Sequence, residues 1–341
     1  MRSTLTAGRF WLVHCLCAVA VTSCASTALR TEPSSAEYSL SPDALAAHVA
    51  WLSSDDLAGR EPGTEGDKDT TAYLVSQFRA LGAVPLAAPD YRQSFEISLD
   101  EATVQTANVV ATVRGTREPE RYVLFIAHHD GQGLCAESND RICNSAVDNA
   151  SGTAVLIEMA RQVAARPLPI SIIFLASGAE EEGLLGAKAF IEDPPVPLAQ
   201  IEAAFGLDTV AARGYSDTVG ILGEGLTSLD PLVRRAAARS GRHVDTAEGT
   251  ADFYRRSDHA VFADAGVPAI MVTGLFAPGE DKFVTGAYAA NHYHRPSDEA
   301  GPTIDYRGAA ADGALLLEIA ALVADAETPP RWTENSIYQR P

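Results

Sequence analysis

Three apolar runs in the chain end in side chains that bind metals. YVLFIA (122–127) leads into His128-His129-Asp130, SIIFLA (171–176) leads into Ser177-Gly178-Ala179-Glu180-Glu181-Glu182, and AAFGL (203–207) ends at Asp208. Two loops add Asp148, in VDNASG just before a helical pattern, and His294, in NHYHRPSD. One acid at a strand end often only caps the next helix, whereas several converging on one sheet edge form the pattern of a site. Imidazole and carboxylate donors without thiolate suit Zn²⁺, with Mn²⁺ or Co²⁺ as substitutes. One open zinc site takes about three protein ligands and a water, so these donors fit two ions sharing a bridging carboxylate better than one. The charges agree, because the carboxylates of Asp148, Glu181 and Asp208 with one hydroxide balance two dications. Burial of such a core requires both metals.

A scaffold must deliver these residues to one place. Strands are predicted over 107–113, 122–127, 171–176, 203–208, 218–223 and 268–273, and YVLFIA is apolar throughout, as in a strand covered on both faces. Ser41-Pro42 supplies an N-cap and first helical position for a helix to about residue 53. Tyr73, Leu74, Phe78 and Leu81 recur at helical spacing in a helix over 68–81 that stops at Gly82. Further helices are predicted over 151–165, 183–192, 229–240 and 305–326, and 55–67 reads as a Gly- and acid-rich loop. Strands alternating with helices imply an α/β fold, a mixed and mostly parallel central sheet with helices on both faces. Ligands of such sheets bind beyond the carboxyl ends of the strands, where the metal-type residues fall. The expected organisation is one domain over 41–327 followed by an irregular tail, 328–341.

The N-terminus reads as an address. Arg2 and Arg9 precede the mostly apolar run Phe10 to Ser23, too short to span a bilayer but suited to the core of a secretory signal, 1–23. Val21-Thr22-Ser23-Cys24 resembles a bacterial lipobox, in which Cys24 is lipidated and becomes the mature N-terminus; the alternative is cleavage near Ala25 to Ala28. Residues 24–40 are small and polar, like a tether. The expectation is an exported periplasmic or cell-envelope lipoprotein of a bacterium, touching the membrane only through Cys24. In an oxidising compartment Cys135 and Cys143 are expected to form a disulfide, worth about 2–3 kcal/mol for so short a loop. The 341 residues carry 45 Asp plus Glu against 26 Lys plus Arg, a formal charge of −19, which argues against nucleic acid as a partner.

AHHD, VDNASG, AEEEGLLGAKAF, GLD and YHRPSD, in this order, resemble the co-catalytic zinc exopeptidases of the bacterial leucyl and Streptomyces type. Glutamate carboxypeptidase and the transferrin receptor ectodomain belong to the same superfamily. DDLAGREPGTEG and RRSDHAVFADAGVPA also look like family segments, and the resemblance runs from about residue 45 to 325. It implies two zinc ions, one on His128 and Asp208, the other on Glu181 and His294, with Asp148 bridging. It implies that Asp130 accepts a hydrogen bond from His128, that Glu180 is the general base, and that Tyr293 stabilises the oxyanion. Arg256 would contact a peptide substrate, and the Asp148–Asn149 peptide bond would be cis. The family pattern Glu-Glu-x-Gly-Leu sets the register through the three glutamates. His129 is expected to wall the pocket, His292 and His259 to be structural or solvent-facing, and His48 and His243 to lie on the surface. Val147 stands where many members carry an acid.

The leading functional expectation is a zinc aminopeptidase. A carboxypeptidase or dipeptidase on the same scaffold would need a basic cluster, for which Arg255 and Arg256 are candidates. A glutaminyl cyclase would use a single zinc, and a non-catalytic module would have lost ligands; the full donor set speaks against both.

Overall fold

The computed structural model describes residues 38–99, 102–135, 139–279, 286–334 and 336–339. The signal segment, Cys24 and the tether up to residue 37 lie outside the described residues. Among the described residues nine strands form one sheet: β1 (Val84–Pro85), β2 (Arg92–Leu99), β3 (Ala102–Val113), β4 (Glu118–His128), β5 (Ile170–Ser177), β6 (Ile201–Gly206), β7 (Thr218–Leu222), β8 (His243–Val244) and β9 (Ala269–Thr273). Their order is β1-β3-β5-β4-β6-β9-β7-β8, with β2 paired to β3. The central four, β5-β4-β6-β9, run parallel, while β3 and β7 flank them antiparallel. The chain leaves β4, returns as β5 on one side of it and then as β6 on the other, so a crevice opens at the carboxyl end of β4.

Among the described residues there are eight α-helices: α1 (Pro42–Leu52), α2 (Glu65–Ala80), α3 (Ser151–Ala165), α4 (Leu185–Glu192), α5 (Asp230–Arg239), α6 (His259–Asp264), α7 (Ala287–Asn291) and α8 (Arg307–Ala324). Strand periodicity divides the core. Val123 and Phe125 of β4 with Ile172 and Phe174 of β5 face the layer of α1, α2, α3, α5 and α8; Leu124, Ile126, Ile173 and Leu175 face α4 and α6. Phe125 stacks between Phe174 and Phe205 at centroid distances of 6.2 and 5.6 Å, locking neighbouring strands side by side. Among the described residues no helix is long and apolar enough to cross a membrane.

The differences from the sequence expectations have local causes. Helix α2 begins at Glu65 rather than residue 68, because the Thr64 hydroxyl accepts the Asp67 amide and caps it. Helix α4 begins at Leu185 rather than 183, because Gly183 and Leu184 take positive φ and donate back to the Glu180 carbonyl in a turn. The hairpin partner β2 goes unpredicted, although Phe95, Ile97 and Leu99 alternate along it. His48 is not a free surface residue: its Nδ1 lies 2.7 Å from the Tyr73 hydroxyl and its Nε2 3.7 Å from buried Glu158.

The tail is irregular but held. Trp332 pairs with Thr227 in an isolated bridge, donates its indole N–H to the Gly266 carbonyl at 2.9 Å, and packs with Tyr338 against Tyr254. Both aromatics are buried in the α4–α6 core. Trp332→Ala should therefore cost about 3 kcal/mol of unfolding free energy, read from the urea midpoint, where a free tail would show no change.

Candidate metal centre

Every expected ligand reaches one point. His128 is the last residue of β4, Glu180 and Glu181 follow β5, and Asp208 follows β6. Asp148 lies in the turn before α3, next to a cis Asp148–Asn149 peptide bond. The two oxygens of Asp148 face opposite ways. Oδ1 is 3.3 Å from His128 Nε2, and Oδ2 is 3.1 Å from His294 Nε2. His128 Nε2 also lies 3.7 Å from Asp208 Oδ1, and His294 Nε2 lies 3.3 Å from Glu181 Oε2. The donor atoms of His128, Asp148 and Asp208 fall within 4.8 Å of one another, as do those of Asp148, Glu181 and His294.

These distances test the fit of a metal. Four donors at zinc bond lengths of about 2.0–2.2 Å on a tetrahedron stand about 3.3–3.6 Å apart, and the separations here, from 3.1 to 3.7 Å, bracket that range. The buried Glu181 Oε1 has no hydrogen-bond partner, as expected of a carboxylate held back for an ion. The residues thus fit metal ions: His128, Asp148 and Asp208 would hold one, and Asp148, Glu181 and His294 a second.

The surroundings keep the donors in place. Both oxygens of Asp130 accept backbone amides, of Glu180 and Glu181, each at 3.1 Å, and so fix the turn that presents these glutamates. Its Oδ1 also stands 3.7 Å from His128 Nδ1, which has no hydrogen-bond partner among the described residues. Asp298 does the same for the bridge, accepting the amides of Val147 at 3.0 Å and Asp148 at 3.1 Å and the Tyr288 hydroxyl at 3.0 Å. Asn149 ties the turn to β6 by donating to the Leu207 carbonyl and accepting from Gly152 and Thr209. Arg60, fully buried, donates to four carbonyls: His129 at 2.8 Å, Leu52 at 2.5 Å, Asn144 at 2.8 Å and Ser145 at 3.0 Å. Gly59 lets this loop approach, since a Cβ there would meet the Gly133 carbonyl at 2.6 Å.

Sequence reasoning missed Arg60, Asp298 and Asp258, which bonds the Ser177 hydroxyl at 2.5 Å. Their signal was position alone, Arg60 in AGREPG, Asp298 four residues after His294, and Asp258 in RRSDH. His129 does not wall the pocket but is wholly buried, with Nε2 3.1 Å from the Ala107 carbonyl. His259 is fully buried, while His292 and His243 are exposed.

The electrostatics follow from crowding acids at one edge. Burial pushes Asp130 up to about 6 and Asp298 up to about 6. Glu180, 8% exposed, is raised well above the carboxylate range, by burial first and then by Asp258, Asp208 and Glu181 against the pull of His128. Burial opposes charge on His294, but Asp148 and Glu181 prevail and push it up to about 10. His128 moves the same way, with Glu180, Asp148 and Asp208 outweighing burial. Tyr293 stacks on the His294 ring at 3.8 Å and lines a cleft with Asp208, Arg256, Phe253, Met271 and Phe276. Arg255 points elsewhere, bound to Asp264 and to the Tyr338 hydroxyl. Cys135 and Cys143 meet with their Cα atoms 5.7 Å apart, across a short ladder that joins Leu134 to Ile142.

A mixed α/β sheet with His, Asp and Glu donor sets sharing one carboxylate at its carboxyl edge is consistent with a di-metal site of hydrolase type. The sequence profile of Peptidase family M28 matches residues 108–331, and the chain belongs to that family. A probable zinc metalloprotease of Leptosphaeria maculans is 30% identical over 205 residues, 57% of this chain and 48% of that protein. The chain thus spans about half the length of the curated relatives first matched. A Zn-dependent exopeptidase of Parabacteroides distasonis superposes with a TM-score of 0.64 at 22% identity, covering 83% of this chain and 98% of that one. A glutaminyl cyclase of Porphyromonas gingivalis gives 0.63 at 24% identity, over 83% and 99%. Both likenesses show the fold.

The two histidines carry protons at neutral pH in the metal-free protein, and an ion must displace them. Zinc loading at pH 7 should release at least two protons per chain, measured by calorimetry in buffers of different ionisation enthalpy. Zinc affinity should fall as pH falls from 8 to 6, because protons then compete harder; a flat profile would contradict the assignment of these donors.

Proposed function

We propose that the chain is an exported zinc aminopeptidase that removes residues from the free amino end of peptides. The observation that carries this reading is the pair of donor sets sharing Asp148, beside a buried glutamate, Glu180, whose carboxylate stands 4.0 Å from His128 and which forms a third donor group with His128 and Glu181. When bound, the two ions supply Lewis acidity and an acidified water. Glu180 takes the proton of the attacking water and later hands it to the leaving amine, a role for which burial has already raised its proton affinity. Asp130 acts through the peptide chain, holding the amides of Glu180 and Glu181. The Tyr293 hydroxyl donates to the developing oxyanion, and Arg256 meets the substrate in the same cleft.

The shape of that cleft supports an end-binding role. Leu222, Phe253, Met271, Leu275 and Phe276 make an apolar recess beside Asp208, suited to the side chain of a terminal residue. The surplus of carboxylates around the ions suits an ammonium group. Of the cations considered for a carboxypeptidase, Arg255 is already bound to Asp264. A glutaminyl cyclase shares the fold, and the metal count per chain together with cleavage of free peptides separates the two readings. Export through the signal 1–23, lipidation of Cys24 and a disulfide between Cys135 and Cys143 belong to the same reading.

Elemental analysis of the zinc-loaded protein should find two ions per chain, and one at most would remove the bridged centre. Aminoacyl anilides and free peptides should be cleaved while N-acetylated ones are spared. Glu180→Gln should keep both ions and lose about 10²–10⁴-fold in kcat, whereas Glu181→Gln should first lose an ion. Exchanged phenotypes would move the base by one residue.

A further inference from the structure

The cleft has two lobes, and Tyr293 stands in the wall of both. The lobe on the Asp208 side is the apolar recess. The lobe on the His294 side is a polar groove with Cys135 and Asp140 on one bank and Asn291, Arg295 and Ser297 on the other. If the recess takes the terminal side chain, the groove receives the part of the peptide that leaves. Most polar groups of the groove are engaged within their own loops. Asp140 accepts the Ile142 amide at 3.3 Å, Asn291 donates to the Ala287 carbonyl, and the Ser297 hydroxyl donates to the Asn291 carbonyl. Arg295 differs. Its backbone bonds His292 and Asp298, but its exposed guanidinium makes no hydrogen bond or ion pair among the described residues. The uncommitted charge of the groove is therefore a cation, placed one residue after a metal ligand.

We propose that Arg295 is a specificity-determining residue that holds the free carboxylate of short peptide substrates on the leaving side of the scissile bond. This rests on the exopeptidase reading and adds a substrate class to it, di- and tripeptides. A guanidinium grips a carboxylate as a fork of two parallel hydrogen bonds, which an amide terminus cannot accept in the same way. The reach fits short chains. From the residue next to His294, the side chain spans about one or two extended residues of about 3.3–3.6 Å each. A local cation also offsets the repulsion between an anionic terminus and a chain of formal charge −19.

The test compares Leu-Ala with Leu-Ala-amide and with leucyl p-nitroanilide, which has no carboxylate, on the zinc-loaded full chain. Wild type should show a KM for the acid about ten-fold below that for the amide. Arg295→Ala should abolish this difference and leave the anilide unchanged, and Arg295→Lys should restore part of it. Equal kcat/KM for acid and amide in wild type, or an equal loss on both in Arg295→Ala, would overturn the proposal and leave Arg295 a solvated surface charge. Calorimetric binding of the acid and the amide to Glu180→Gln, with and without Arg295→Ala, provides a readout without turnover. A protein that cleaves none of the three yet binds the acid better through Arg295 would refute the exopeptidase reading and keep the carboxylate site. A protein that cleaves the anilide but binds acid and amide alike would do the reverse.

Discussion

The constraint on which the rest of this structure depends is the crowding of carboxylates at one sheet edge. Asp130, Asp148, Glu180, Asp258 and Asp298 are all buried, and Glu181 and Asp208 are half-buried beside them. Unpaired charges of one sign in so small a volume are unfavourable by far more than a domain's net stability unless they are protonated or met by cations. The raised proton affinities of Asp130, Asp258, Asp298 and Glu180 are the metal-free response to that crowding. Binding of metal cations would be the other response, and it would turn an electrostatic liability into the site itself.

The acids that do not ligate serve the backbone. Asp130 and Asp298 each accept two consecutive amides, and each thereby holds a turn that carries donors, Glu180 and Glu181 in one case and Asp148 in the other. Arg60 completes the frame from below. Its guanidinium bridges carbonyls at Leu52, His129, Asn144 and Ser145 and places a positive charge among Asp130, Asp298, Asp148 and Glu181. Burial lowers its proton affinity to about 10, and the carboxylates offset part of that cost. A buried Arg of this kind does geometric and electrostatic work together, which a lysine, with its three donors on one nitrogen, could not repeat.

The sheet decides which residues meet. Because β5 and β6 lie on opposite sides of β4, their carboxyl ends bring Glu181 and Asp208 to either side of His128. The apolar alternation on β4 and β5 binds both helical layers, so the strand ends are fixed by the core and not by the loops. The tail contributes to that rigidity at a distance, through Trp332 and Tyr338 packed under α6.

The central strands, most of the long helices and the five candidate donors that the fold gathers could all be read from the sequence, because each is encoded locally. An apolar run of strand length followed at once by His or Asp carries both the element and its functional end within about ten residues. The cap at Ser41 and the helix at 151–165 are legible for the same reason. What only the tertiary structure decided depends on pairs far apart in the chain. Arg60 meets Ser145 across 85 residues, Asp298 meets Asp148 across 150, and Asp258 meets Ser177 across 81. No spacing rule links such residues, since the fold alone sets their distance. Asp130 is a further case: both its oxygens accept amides of the glutamate turn, some 50 residues on, a meeting that requires β5 to be laid beside β4.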